Sequence, residues 1–172
     1  MKAGYRVIIF DFDGVITESV RIKTKAFGAI YEKYGDDIVK RVEKHHIENG
    51  GMSRYDKFNY YHRKYLKTDL NDDQIDELSN KFSSLVVEKV IDAPYINGSM
   101  EFIEKYYRVC ELYIVSATPQ FEIDIIVKRR RINKYFNKVL GSPSSKDYNI
   151  KKIIENNHYD LNEVCYIGDS IN

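Results

Sequence analysis

Tyr5-Arg6-Val7-Ile8-Ile9-Phe10-Asp11-Phe12-Asp13-Gly14-Val15 runs from an apolar strand straight into two carboxylates and a glycine. The short unbroken apolar run predicts a strand buried on both faces. In extended backbone, residues i and i+2 share one side, about 6.6 Å apart. Asp11 and Asp13 can therefore face a single partner while Phe12 turns toward packing. Two carboxylates held together beside a buried strand repel each other and lose hydration unless a cation or a reaction uses them. Gly14 permits a close backbone approach or a positive φ where the chain leaves the sheet. An isolated Asp-x-Asp is more simply a turn or a helix cap, so the far end of the chain matters. There a second strand pattern, 163–167, ends in Gly168-Asp169-Ser170-Ile171-Asn172. A third carboxylate at a strand end places all three at one rim of a sheet and points to magnesium-dependent phosphoryl chemistry, because Mg²⁺ favours oxygen ligands from one or two carboxylates, water and phosphate.

Working outward, further strands are expected at 111–115, ending at Ser116, and at 138–140. Helical periodicity fills 98–107, 119–132 and 147–156 between them, with Pro119 at a plausible first helical position. Strands alternating with helices of this length predict an α/β fold built on a Rossmann-like, mostly parallel sheet covered on both faces. Ligands of such sheets collect beyond the carboxyl ends of the strands, where Asp11, Ser116 and Asp169 fall. The segment 16–91 breaks the rhythm, having no convincing strand and helical patterns at 18–34, 38–48, 54–65 and 72–90. Ile75, Leu78, Phe82, Leu85, Val86 and Val90 give the last its apolar stripe, and Asn71 is placed to cap it. The expected division is an α/β core of residues 1–15 and 95–172 with an inserted all-helical cap of residues 16–94. The stretch from Asp92 to Gly98, with its Pro94 and Gly98, serves as a hinge or linker. A helical lid opposite the strand ends would exclude water and select the substrate.

The 172 residues carry 27 Lys and Arg against 26 Asp and Glu, so no global field draws the chain to nucleic acid or membrane. The run Lys128-Arg129-Arg130-Arg131 reads as a solvated helix end. Cys110 and Cys165 sit in apolar strand contexts, where buried free thiols fit a reducing compartment. No signal segment opens the chain and no apolar run approaches the ~20 residues that span a bilayer. A soluble, cytoplasmic protein with neither nucleic-acid nor membrane partner is expected. In the cap, Gly50-Gly51-Met52-Ser53-Arg54 is a loop in which Ser53 can cap the next helix and Arg54 offers a rigid donor fork to a ligand carboxylate or phosphate. His45, His46 and His62 lack metal-ligand spacing and read as surface or packing residues. Tyr55, Phe58, Tyr61 and Tyr65 recur at helical spacing and read as core.

Asp11-Phe12-Asp13-Gly14-Val15 resembles the first signature of the haloacid dehalogenase-like hydrolase superfamily, largely phosphatases. Ser116 in Val115-Ser116-Ala117-Thr118 is similar to its second signature, Lys146 to its third and Gly168-Asp169-Ser170 to its fourth. The helical insertion resembles the cap of phosphoglycolate-phosphatase-like and beta-phosphoglucomutase-like members. The resemblance implies Asp11 as nucleophile, forming an aspartyl-phosphate, and Asp13 as proton donor and then base. It implies Ser116, Thr118 and Lys146 as contacts to the phosphoryl oxygens and Asp11, Asp13 and Asp169 as the Mg²⁺ site, with Arg54 reaching the substrate from the cap. A small phosphomonoester, such as a phosphosugar, is the implied substrate. Haloacid dehalogenation is disfavoured because dehalogenases of the superfamily lack the second Asp. Val15-Ile16-Thr17 resembles the phosphosugar mutases, which leaves a mutase open, and a noncatalytic interaction module is the reading from another class. Asp147 stands where many relatives have Pro after the lysine, and Lys138 competes with Lys146 for the third signature. The superfamily usually has another acidic residue just past the position of Asn172, followed by more helix, so a C-terminally shortened chain with weak or no phosphatase activity is expected.

Overall fold

The computed structural model describes residues 4–169. Four strands form one parallel sheet in the order β3-β2-β1-β4: β1 Val7–Phe10, β2 Glu111–Pro119, β3 Lys138–Ser142 and β4 Val164–Ile167. Val7 aligns with Glu111 on one side and with Val164 on the other, so β1 lies between β2 and β4. Successive side chains take opposite faces. Ile8, Phe10, Leu112 and Ile114 join one apolar cluster, while Val7, Ile9, Tyr113 and Val115 join Ile153 and Tyr159 in another. Both faces are therefore covered, which is why β1 reads as an uninterrupted apolar run.

Between β1 and β2 come only helices: α1 Val20–Tyr31, α2 Asp36–Glu48, α3 Arg54–Tyr61, α4 Asp72–Asp92 and α5 Ser99–Tyr106. The first four carry the cap core, where Phe27 meets Phe58, Tyr61 and Phe82 at ring-centroid distances of 5.5, 5.9 and 4.3 Å. The aromatic residues at helical spacing pack as expected, with Phe58 and Tyr61 fully buried. Asn71 accepts from the backbone N–H of Gln74, whose side chain accepts from that of Asn71, a reciprocal capping box that starts α4. The mostly parallel sheet with an inserted helical cap is the architecture the sequence predicts.

The differences lie at element ends. The helix expected over 18–34 finishes as a 3₁₀ turn over Glu32–Tyr34, and Gly35, at φ 92°, starts α2 two residues before the expected position. The helix expected over 54–65 stops at Tyr61 and widens into a π turn over His62–Leu66, leaving Lys67 left-handed at φ 57°. Strand β2 runs on to Pro119, its pairing with β3 shifting between Val115 and Pro119. Helix α6 spans Gln120–Arg129 and α7 spans Lys146–Asn157. Cys110 and Cys165 are free, as expected, but half-buried rather than buried, because both lie near strand ends. No helix among the described residues is long and apolar enough to cross a membrane.

Candidate active site

The backbone N–H of Asp11 donates to the carbonyl of Ile167 at 2.9 Å, which ties the end of β1 to the end of β4. The chain then turns tightly: Ile16 donates to Phe12 O at 2.9 Å and Gly14 to Thr17 O at 2.8 Å, with Gly14 at φ 76°. Phe12 is fully buried and anchors this turn. A Cβ on Gly14 would lie 2.2 Å from Asp169 Oδ2, so the glycine leaves the space in which the third carboxylate sits. Asp11, Asp13 and Asp169 line one cavity of about 190 Å³.

Each of the first two carboxylates has its own lysine. Asp11 accepts from the Phe12 N–H at 2.7 Å and from Lys146 Nζ. Lys146 is the first residue of α7, which Ser145 caps by accepting from the Tyr148 N–H at 3.2 Å. The competing Lys138 lies exposed at the start of β3. Asp13 accepts from Ser19 Oγ at 2.5 Å, from Lys23 Nζ and from Thr118 Oγ1 at 3.3 Å. Lys23 Nζ also donates to Thr118 Oγ1 at 2.7 Å. Ser19 and Lys23 are one helical turn apart at the start of α1 and so present to the same side. The sequence reading missed both; their four-residue spacing just after the carboxylate pair was the available signal.

Burial pushes the Asp11 carboxyl above its usual range, and Lys146 offsets this only in part. Burial would also raise Asp13, but the Lys23 charge and the hydrogen bonds from Lys23, Ser19 and Thr118 together hold it below the usual range. Burial alone would lower Lys146; Asp11 outweighs it and raises the ammonium.

Ser116 lies deeper than expected. It is almost fully buried, and its Oγ donates to Thr118 Oγ1 and accepts from the Thr118 N–H, both at 3.1 Å. Thr118 and Ala117 line the cavity instead. Ser170, Ile171 and Asn172 of the closing motif lie outside the described residues, as does the expectation about what would follow them.

The cap supplies the opposite wall through Phe27, His46, Ile47, Gly50, Met52, Arg54, Lys57 and Phe82. Arg54 lines the cavity, but its guanidinium is engaged with the core: two parallel bonds of 2.6 Å to Glu122 on α6, plus 2.8 Å to Ser83 Oγ on α4. Ser53 does cap α3, accepting from the Asp56 N–H at 3.2 Å. The basic run at the end of α6 extends the same seam. Arg129 pairs with Glu88, and one Arg130 nitrogen donates to the carbonyls of Val90, Ile91 and Ala93. His46, read from sequence as a packing residue, also meets Lys57 Nζ at 2.8 Å through Nδ1.

No three His, Cys, Asp or Glu side chains among the described residues converge closely enough to hold a metal ion by themselves. Mg²⁺ does not require this, since water and substrate phosphate complete its octahedron. The hard oxygens of Asp11, Asp13 and Asp169 on one wall, with the Gly14 gap admitting Asp169, fit that ion.

A family model described as haloacid dehalogenase-like hydrolase matches residues 8–172. No curated protein matches the chain. Among solved structures, a haloacid dehalogenase-like hydrolase from Bacteroides fragilis superposes with a TM-score of 0.71 at 19% identity, covering 96% of this chain and 79% of that one. A predicted phosphoglycolate phosphatase from Haemophilus somnus gives 0.71 at 14% identity, covering 98% and 79%. A HAD-hydrolase from Bacillus subtilis, solved bound to magnesium and described as revealing interdomain movement, gives 0.66 at 19% identity, covering 96% and 80%. At these identities the superpositions establish the fold.

Proposed function

The chain belongs to the haloacid dehalogenase-like hydrolase family, and from that premise we propose that it is a magnesium-dependent phosphatase of small phosphomonoesters working through an aspartyl-phosphate on Asp11. The observation that carries this reading is the pairing of Asp11 with Lys146 and of Asp13 with Lys23 at one end of a parallel sheet, with Asp169 beside them. The core is taken as residues 1–15 and 95–172 and the cap as 16–94.

An Asp11 carboxylate oxygen attacks phosphorus, forming the aspartyl-phosphate as the bond to the leaving alkoxide breaks. Asp13 gives that alkoxide its proton. It then takes one from water, which attacks phosphorus and releases phosphate and free Asp11. Ser19, Lys23 and Thr118 fix the Asp13 carboxylate for both transfers, and a dianionic phosphoryl group arriving beside it favours the protonated form needed first. Lys146 neutralises charge on the phosphoryl oxygens, helped by the Thr118 hydroxyl. Ser116 acts from behind by holding Thr118. Bound Mg²⁺, held by Asp11 and Asp169 and the backbone carbonyl of Asp13, would offset charge on the same oxygens.

Arg54 is assigned to the cap-to-core seam as well as to the cavity wall. The mutase-like residues supply no cavity contact: Ile16 is fully buried and Thr17 bonds to Ser19 at 2.9 Å, so hydrolysis is preferred. A screen of phosphomonoesters with Mg²⁺ and with chelator tests the reading. Release of inorganic phosphate that stops on chelation is expected. Metal binding without turnover of any substrate would instead favour a noncatalytic module, and isomerised sugar phosphate with a required bisphosphate would favour the mutase.

A further inference from the structure

Lys146 stands at an unfavourable place for a cation. It is the first residue of α7, where the aligned peptide dipoles present their positive end. Its ion-pair partner is Asp11, the proposed nucleophile. That partner is temporary. Once an Asp11 oxygen is bonded to phosphorus, its carboxylate charge has passed to the phosphoryl group, and Lys146 is still needed there. A second partner comes from β4: Lys146 also hydrogen-bonds the phenol oxygen of Tyr166, a residue that no sequence motif singles out.

The fold aims that phenol. The register of β1 with β4 sets Tyr166 opposite Ile9, and Ile9 and Val164 belong to the sheet face that Ile153 of α7 covers. Residues two apart on a strand share a face, so Tyr166 points with Val164 toward α7. Gly168 lies against the ring, where a Cβ would come 2.8 Å from Cε1 and 3.2 Å from the phenol oxygen. Gly168 is not among the glycines at positive φ, so its missing side chain serves space and not backbone conformation. Tyr166 is 41% exposed on a strand at the edge of the sheet, so core packing does not account for its placement.

We propose that Tyr166 is a positioning residue for Lys146, keeping the ammonium at the reacting centre through the interval in which Asp11 carries no charge of its own. This rests on the phosphatase reading and adds the side chain that lets one lysine serve both halves of the reaction. The phenol oxygen accepts one of the three ammonium protons. Two are left for Asp11 in the resting enzyme and for the phosphoryl oxygens in the aspartyl-phosphate. Without the phenol, the flexible stem of Lys146 is free to swing toward solvent whenever Asp11 is uncharged, because the positive end of α7 repels it.

Tyr166→Phe keeps the ring over Gly168 and removes only the hydroxyl. It should lower kcat by about 10-fold, the low end for a hydrogen bond to a charged group, and move KM by less than about threefold. On a Lys146→Met background the same substitution should change kcat by less than about twofold, since the two residues act as a unit. Equal losses on both backgrounds, or undiminished kcat in Tyr166→Phe, overturn the proposal. The holding itself is read without turnover by ¹⁵N NMR of the Lys146 ammonium, assigned by its loss in Lys146→Met. In Asp11→Asn, which takes the charge from the nucleophile, the ammonium signal should persist. In Asp11→Asn combined with Tyr166→Phe it should be lost to exchange with water. A signal already lost in Asp11→Asn, or retained in the double variant, overturns the proposal. Absence of wild-type turnover on any phosphomonoester would sink the phosphatase reading instead, and the ammonium signal would still decide whether Tyr166 holds Lys146.

Discussion

The two walls of the cavity use charge in opposite ways. On the core wall, Asp11 meets Lys146 and Asp13 meets Lys23, which reaches it from the first cap helix, over short contacts between fixed strand and helix ends. Any phosphomonoester would meet this wall, since it addresses only the phosphoryl group and the oxygen that leaves. On the cap wall, Arg54 is bound to Glu122, and Lys57 is left with a neutral imidazole. One wall is built to do a reaction, the other to fasten the cap and inspect what the phosphoryl group is attached to. Substitutions in the core wall should therefore lower turnover of every substrate alike, and substitutions in the cap wall should change stability or ranking.

The largest effect is expected at Asp11. Asp11→Asn should lower kcat by at least about 10⁴-fold on every phosphomonoester while leaving the fold largely intact, read by circular dichroism. Substantial retained turnover would remove the nucleophile from the account. Next is the seam. Glu122→Gln leaves the Arg54 charge buried without its partner and should cost about 3–5 kcal/mol, read as a lower denaturation midpoint. The double variant Arg54→Met with Glu122→Leu should recover most of that loss. A single variant as stable as the wild type would show that the pair does not fasten cap to core.

The core wall was largely legible in the sequence because its elements are local. Phe10, Asp11, Phe12 and Asp13 declare strand, carboxylate, anchor and carboxylate within four positions, and Gly14 supplies the turn that its φ of 76° requires. Asp169 came through the same strand-end logic, whereas Lys146, the first residue of α7, was reached only through the family resemblance. Lys23 came through neither way, because a lysine at the start of an amphipathic helix looks solvated until the helix is docked. The cap wall was harder still. His46 and Lys57 lie on α2 and α3, and only the packing of those helices over Phe27 brings them together. Glu122 is 68 residues from its partner Arg54, so no local pattern joins them. The ends of the 18–34 and 54–65 helices failed for a related reason: tertiary contacts, not periodicity, decide whether a last turn tightens to 3₁₀ or widens to π.

Two smaller effects sharpen the contrast. Lys57 has its ammonium lowered to about 7 in the folded protein, against its ordinary 10.5, so between those values the unfolded chain binds more protons and stability gained from this residue rises with pH. Urea unfolding at pH 7 and pH 9 should show wild type gaining on Lys57→Met by on the order of 1–2 kcal/mol; an unchanged difference would mean that Lys57 titrates as an exposed lysine does. Smallest is Asn71→Ala, which removes the capping box of α4 and should cost about 1 kcal/mol without changing substrate ranking.

The account depends most on where the phosphoryl group goes. The direct test is to stop turnover of a good phosphomonoester with acid during steady state, in the presence of Mg²⁺, and to map phosphorylation by peptide mass spectrometry. The account predicts a phosphoryl group on Asp11, absent when Mg²⁺ is chelated and absent in Asp11→Asn. Rapid turnover with Asp11 unmodified at every quench time, and label on another side chain, would contradict it.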